Sequence, residues 1–116
     1  MEMSKMRIIQ ELVPGKQITL AHVIANPDSS LCKQLEMEKL SANSAIGILT
    51  ITPPETSIII ADISIKSADI QIVSVNTTSG SLILSGTVAN VEAAVRAVLD
   101  YVEHKLGFEV CTLTKT

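Results

Sequence analysis

Apolar residues recur at every third or fourth position in one long segment near the end of the chain. Its members are Val88, Val91, Val95, Val98, Val102 and Leu106. This spacing predicts an amphipathic helix with one continuous apolar stripe. Thr87 can cap the start of that helix, and Gly107 can end it.

Shorter runs rich in β-branched residues predict strands. They cover residues 7–13, 17–24, 44–52, 70–75, 81–85 and 108–114. In the second run, simple alternation places Ile18, Leu20 and Ile24 on one face. Gly47 lies where a larger side chain would not fit. The segment NTTSG, at 76–80, is typical of a hairpin loop.

Two further segments are candidate helices. Residues 28–40 have near-helical apolar spacing, with Asp28 at the N-cap position and a polar loop through 41–43. Residues 56–67 are ambiguous, because five isoleucines favour a strand whereas Asp62 and Lys66 stand at helical i, i+4 spacing. The irregular alternation of strands and helices indicates an α+β fold of two layers.

Composition narrows the class of protein. The chain has 116 residues, enough for one domain, with 47% hydrophobic and only 2% aromatic residues and a net charge of −3. Such a chain lacks the stacking rings and basic clusters of nucleic-acid-binding proteins. It contains neither an apolar run of roughly 20 residues for a membrane span nor a secretory h-region. We therefore expect a cytosolic protein.

Candidate catalytic chemistry is sparse. Cys32 and Cys111 are isolated thiols, interpreted as small apolar fillers. His22 is expected to be a structural residue, and His104 suits the carbonyl end of the last helix. Because no catalytic or phosphate-binding motif accompanies them, we predict no catalysis, no metal site and no cofactor.

Three separated motifs carry a resemblance to a known family. They are the opening IIQELVPGKQITLAHVIANP, the middle SAIGILTITPPE followed by ADISIKSADI, and the ending CTLTKT. In this order they resemble the circularly permuted, single-domain shell proteins of bacterial microcompartments (BMC shell proteins). Such proteins are associated with propanediol, ethanolamine or choline utilisation. The block KSADI, at 66–70, also resembles the end of a helix in the unpermuted shell domains.

The resemblance implies a structural shell protein. Its fold would be a two-layer α/β sandwich of the permuted BMC, ferredoxin-like kind, with an antiparallel sheet and helices over residues 15–116, including a helix at 56–67. Six copies would form a ring with a central pore. Rings would tile with neighbouring hexamers and other shell proteins, around encapsulated enzymes, in the cytoplasm.

The resemblance also implies a role for the start of the chain. Residues 1–6 would be a disordered tail, and residues 7–14 would supply an N-terminal strand that forms a β-barrel between subunits over the pore. Closure by symmetry would pair the edges that an isolated strand leaves open. The strand residues are Arg7, Ile8, Ile9, Gln10, Glu11, Leu12 and Val13.

Three further assignments follow from the resemblance. Lys66 would be the residue through which neighbouring hexamers meet, with Asp62 and Asp69 beside it. Ser44, where some permuted relatives have glycine, favours a flat hexamer, and a bent or screw-related hexamer is the alternative that stays open. The candidate pore loop is neutral where unpermuted relatives commonly carry lysine and glycine; it consists of Asn76, Thr77, Thr78, Ser79 and Gly80.

Three simpler interpretations stay open. In the first, Lys66 only pairs with Asp62 on a solvated helix face. In the second, residues 76–80 form an ordinary surface turn. In the third, the chain is an oligomeric regulatory domain that binds a small ligand, a class that composition does not distinguish from a shell protein.

Overall fold

A computed structural model describes residues 15–37 and 43–116. The expected tail at 1–6 and barrel strand at 7–13 lie outside the described residues. The elements run β1 (Gln17–Ala25), α1 (Ser29–Gln34), β2 (Ser44–Thr52), a 3-10 turn (Pro54–Thr56), α2 (Ser57–Ser67), β3 (Gln71–Asn76), β4 (Ser81–Thr87), α3 (Val88–His104), β5 (Glu109–Val110) and β6 (Thr114–Lys115).

The strands form one sheet in the order β3-β4-β2-β1-β5, with β6 also paired to β1. Neighbours among β1 to β4 are antiparallel, whereas β5 and β6 run parallel to β1. We expected an antiparallel sheet. The sheet is mixed instead, because the pairs at the β1 edge are parallel. β2, α2 and β3 make a split βαβ unit, because β4 lies between the two strands. The α+β expectation is confirmed.

One hydrophobic core lies between the sheet and the helices α2 and α3. α3 contributes Val91, Val95, Val98 and Val102, each with an exposed fraction of 0%. This confirms the predicted stripe along most of its length. Leu106 lies beyond the end of the helix and is 39% exposed, so its inclusion in the stripe was wrong.

Gly47 sets the distance between α3 and the sheet. A Cβ atom at this position would lie 2.9 Å from Val91 Cγ1 and 3.3 Å from Val95 Cγ2, closer than packed side chains tolerate. The expectation that bulk would not fit here is confirmed. Thr87 caps α3 as predicted, since its hydroxyl oxygen accepts a hydrogen bond from the backbone N–H of Asn90.

The register of β1 differs from simple alternation. A bulge between Ile18 and Leu20 inserts an extra residue and reverses the faces beyond it. Ile18, Ala21 and Val23 are therefore in the core, whereas Leu20 is 40% exposed. The expectation that Ile18, Leu20 and Ile24 share one face was wrong.

Two elements are shorter than the sequence predicted. α1 ends at Gln34 because Glu36 adopts a left-handed φ of 57°, although Asp28 caps its start by accepting a hydrogen bond from Ser30 N. The strand expected over 108–114 is split into β5 and β6. β5 pairs with β1 at Gln17 and Ile18, before the bulge, and β6 pairs with it at His22 and Val23, after the bulge.

Candidate assembly surfaces

The predicted edge residues lie at the end of α2. Lys66 Nζ is 2.7 Å from Asp62 Oδ2, one turn earlier, and the two side chains are 74% and 58% exposed. The hydrogen bond to Asp62, followed by its negative charge, raises the pKa of Lys66. Asp69 is exposed just beyond the helix. A single subunit thus already contains the simple ion pair, and the long lysine stem is free to cover apolar surface.

α2 exposes three of its five isoleucines. Ile58, Ile59 and Ile65 are 59%, 47% and 54% exposed, and we call them the isoleucine face. The side of the helix that packs inward holds mostly small residues, namely Ser57, Ile60, Ala61 and Ser64. Exposed apolar surface of this kind commonly marks an interaction site.

Sequence reasoning missed the isoleucine face. The isoleucines were weighed as a sign of β propensity, and their distribution around a helix was not examined. A usable signal was present in the small residues Ser57, Ala61 and Ser64, which recur at i, i+4 and i+7. Inside the fold, the Ser64 hydroxyl donates to the Ile60 carbonyl at 2.7 Å, so its burial leaves no unpaired hydroxyl donor.

The predicted pore-loop residues lie together in one tight turn. Asn76 Oδ1 accepts hydrogen bonds from the N–H groups of Thr78 and Ser79, each at 2.9 Å. Gly80 completes the turn with a φ of 80° and donates its N–H to the Asn76 carbonyl. The exposed side chains, including Thr77, are neutral. The turn therefore offers hydroxyl and amide groups without a formal charge.

Predicted site residues lie at both ends of β2: Ser44 begins the strand, and the loop at 76–80 contacts its other end. At its end, Ile51 N–H donates to the carbonyl of Gly80 at 2.9 Å, which fixes the loop against the strand. At its start, Ser44 is 6% exposed, and its carbonyl accepts from Asn26 N–H at 2.8 Å. The structure thus separates Ser44 from the loop by the length of the strand.

The histidines occupy structural positions. His22 Nδ1 lies 2.6 Å from Thr114 Oγ1 and Nε2 lies 3.0 Å from Thr116 Oγ1, so both ring nitrogens are engaged, as expected of a structural residue. His104 Nδ1 lies 3.1 Å from the Asp100 carbonyl in the last turn of α3. This position agrees with the expected preference for the carbonyl end of the helix.

The two cysteines are not paired. Cys32 is buried and Cys111 is half-buried, and both are free. Burial raises the pKa of the Cys111 thiol. Within the described ranges, no cluster of three or more histidine, cysteine or acidic residues could hold a metal ion. Among those same residues, no helix has the length and apolarity needed to cross a membrane.

Comparisons with known proteins identify the family. The BMC domain model matches residues 45–112. The chain is also 45% identical over 114 residues to the bacterial microcompartment shell protein EutS of Salmonella typhimurium, an alignment that covers 98% of this chain and 100% of EutS.

Solved structures agree with the sequence comparison. A flat hexamer of CutR superimposes with a TM-score of 0.83 at 43% identity, covering 90% of this chain and 94% of CutR. A screw assembly of CutR, with a pitch of 41.9 Å, gives a TM-score of 0.82 at 43% identity over 89% of this chain and all of CutR.

The fold and these relationships define a BMC-domain protein. The chain belongs to the family of bacterial microcompartment shell proteins. The relatives are structural shell proteins, so the comparisons support that role and give no support to the regulatory, ligand-binding interpretation.

Proposed function

We propose that this chain is a structural wall tile of a bacterial microcompartment, built from rings of six identical copies. The proposal rests chiefly on its near-complete overlap with the CutR subunit, which was solved as a flat hexamer. The isoleucine face supports it independently, because a lone subunit would leave Ile58, Ile59 and Ile65 largely in water.

Lys66 is proposed as the principal residue of the contact between rings, with Asp62 and Asp69 as its polar neighbours. Its stem can lie along a neighbouring ring while the ammonium donates to carbonyl oxygens across the seam. Each seam is small, but a ring makes six of them, so the combined contacts decide whether sheets form.

The loop at 76–80 is proposed to line the central opening. Its neutral hydroxyls and amides would allow small polar metabolites to pass without a strong charge barrier. Ser44 is proposed to favour the flat form of the ring, since serine allows β2 fewer backbone conformations at its start than glycine does.

The start of the chain is proposed to cover this opening. Residues 1–6 form a tail, residues 7–14 a strand, and residues 15–116 the shell domain in a circularly permuted order. The BMC match begins only at residue 45, although the similarity to EutS spans almost the whole chain. Six strands related by the ring axis would close into a barrel with no open edge.

The tile is proposed to have no catalytic activity and no cofactor. Its partners would be copies of itself, other shell proteins and enclosed enzymes, in a shell within the cytoplasm. The support is that both histidine rings are engaged in hydrogen bonds and that the relatives are structural proteins. A turnover that is lost on His22→Ala would contradict this part of the proposal.

Particle mass and shape test the assembly. The purified protein should have six times the subunit mass by light scattering, and electron micrographs of concentrated protein should show flat sheets or tubes. A discrete particle of any other size that forms no extended array would overturn the proposal.

Lys66→Ala tests the edge assignment. We expect hexamers to remain intact while sheets and tubes become scarce, because only the contact between rings loses the lysine stem. Lys33→Ala is the matched control, since Lys33 is also exposed but lies on α1. If the Lys66→Ala protein forms sheets equally well, Lys66 does not contribute to the contact between rings.

A further inference from the structure

α2 carries a surface that its own subunit does not use. The isoleucine face consists of three large apolar side chains, each close to half exposed or more. Three of the four buried residues of the same helix are small, and only two of its five isoleucines, Ile60 and Ile63, pack against the core. An ordinary surface helix directs most of its large apolar residues toward the core. The arrangement requires a partner, and the hexameric CutR relative indicates that the partner is a second copy of the chain.

The helix begins beside the candidate pore loop. The Ser57 hydroxyl donates to the Asn76 carbonyl at 3.4 Å. A Cβ atom on Gly80 would lie 3.1 Å from Pro54 Cα, immediately before the helix. If the loop lies near the ring axis, as proposed above, the start of α2 does too.

The far end of the helix lies well away from the loop. α2 has 11 residues, so its two ends are separated by about 15 Å at the helical rise of roughly 1.5 Å per residue. Ile58 and Ile59 are therefore in an inner half close to the loop. Ile65 and Lys66 are in an outer half, about two turns farther along.

The two halves also differ in chemistry. The exposed side chains of the inner half, Ile58 and Ile59, are purely apolar. The outer half combines Ile65 with the Lys66–Asp62 ion pair. Tyr101 is 44% exposed and belongs to α3, the helix that packs beside α2. It is therefore a candidate for the same outer contact.

We propose that α2 divides its exposed face between two different contacts with copies of this chain. Ile58 and Ile59 close the ring against the adjacent subunit. Ile65 and Tyr101 join Lys66 in the contact with the neighbouring ring. This inference rests on the proposed function, because it assumes that the loop marks the axis of a hexamer and that α2 runs outward from it.

The chemistry of each half suits its task. Interfaces that hold permanent oligomers are generally apolar and resemble a divided core, whereas weaker contacts carry more polar and charged groups. The ring needs a permanent, apolar interface. The growing lattice benefits from weaker, more polar contacts, because a misplaced ring must be able to dissociate before many weak contacts accumulate.

Two double variants separate the halves. Ile58→Ser with Ile59→Ser should lower the solution mass from six subunits to one or two. Ile65→Ser with Tyr101→Ser should leave the mass at six but reduce the area of sheets in electron micrographs by about tenfold, because six seams are weakened together. All four side chains are substantially exposed, so circular dichroism should show an unchanged fold in both.

Leu31→Ser is the control, since Leu31 is an exposed apolar residue on α1; it should alter neither mass nor sheets. The inference is overturned if the Ile58/Ile59 variant remains hexameric, if the Ile65/Tyr101 variant loses its rings, or if the control dissociates equally. The unsubstituted protein is measured first. If that protein is not hexameric, the proposed function itself fails, which distinguishes the two outcomes.

Discussion

At the scale of single residues, Gly80 fixes the shape of the candidate pore loop. Its φ of 80° lies in the left-handed region, and a Cβ atom there would collide with the Ile51 carbonyl oxygen. Gly80→Ala must therefore move the backbone, at a cost of about 1–3 kcal/mol in the free energy of unfolding. Urea denaturation would measure it.

Gly15→Ala is the appropriate control, because no atom of the described residues lies within 4 Å of its added Cβ. We expect a change of less than about 0.5 kcal/mol there. Equal stability of the two variants would show that the loop relaxes freely around residue 80.

The thiol of Cys111 gives a second prediction at this scale. Because burial raises its pKa, less reactive thiolate is present at pH 8 than in the unfolded chain. Alkylation of the native protein with iodoacetamide should therefore be slower at Cys111 than in urea. Mass spectrometry of the peptides would separate it from Cys32. Equal rates in both states would contradict the inferred burial.

At the scale of elements, the cap of α3 is the clearest local contribution to stability. Thr87 Oγ1 accepts from Asn90 N–H at 3.2 Å, and Thr87→Ala removes this acceptor. The expected loss is about 1 kcal/mol, visible as a lower Tm. Thr112→Ala, at an exposed threonine outside any helix, should leave Tm unchanged. A Tm for Thr87→Ala equal to that of this control would argue that the cap is dispensable.

Some elements could be predicted from the sequence and others could not. The valines of α3 and the run at 44–52 were predicted correctly, because local spacing determines them. The bulge at Ile18 was not, since an inserted residue changes the register without changing the composition. The division of the chain's end into β5 and β6 was not predicted either, because residues 108–114 contain no glycine or proline to mark the break.

At the scale of the whole molecule, the surfaces were harder to predict than the core. The roles of Lys66 and of the loop at 76–80 were assigned through a resemblance, and the structure places these residues at opposite ends of α2. The isoleucine face was not predicted, because the sequence alone does not show whether an apolar residue faces the core of its own subunit or the surface of a partner. The burial of Ser57, Ala61 and Ser64 shows which side of the helix faces the core and which side faces outward.

The start of the chain provides the final prediction. If residues 7–13 form a cover over the ring axis and the ring is closed by the domain itself, removal of residues 1–13 should leave the solution mass at six subunits. The reason is that the proposed ring contacts, Ile58 and Ile59, lie within the remaining domain. The stained opening at the centre of each ring should become wider in averaged electron micrographs.

Removal of residues 1–6 alone is the matched control and should change neither the mass nor the opening, since the barrel strand is retained. A truncated protein that falls apart into single subunits would show that the strand holds the ring together instead of covering it. Intact rings with an unchanged opening would place the strand away from the axis. Because a barrel satisfies the backbone groups of its strands only when every copy contributes one, mixing full-length and truncated subunits should lower the proportion of covered rings faster than the proportion of full-length chains.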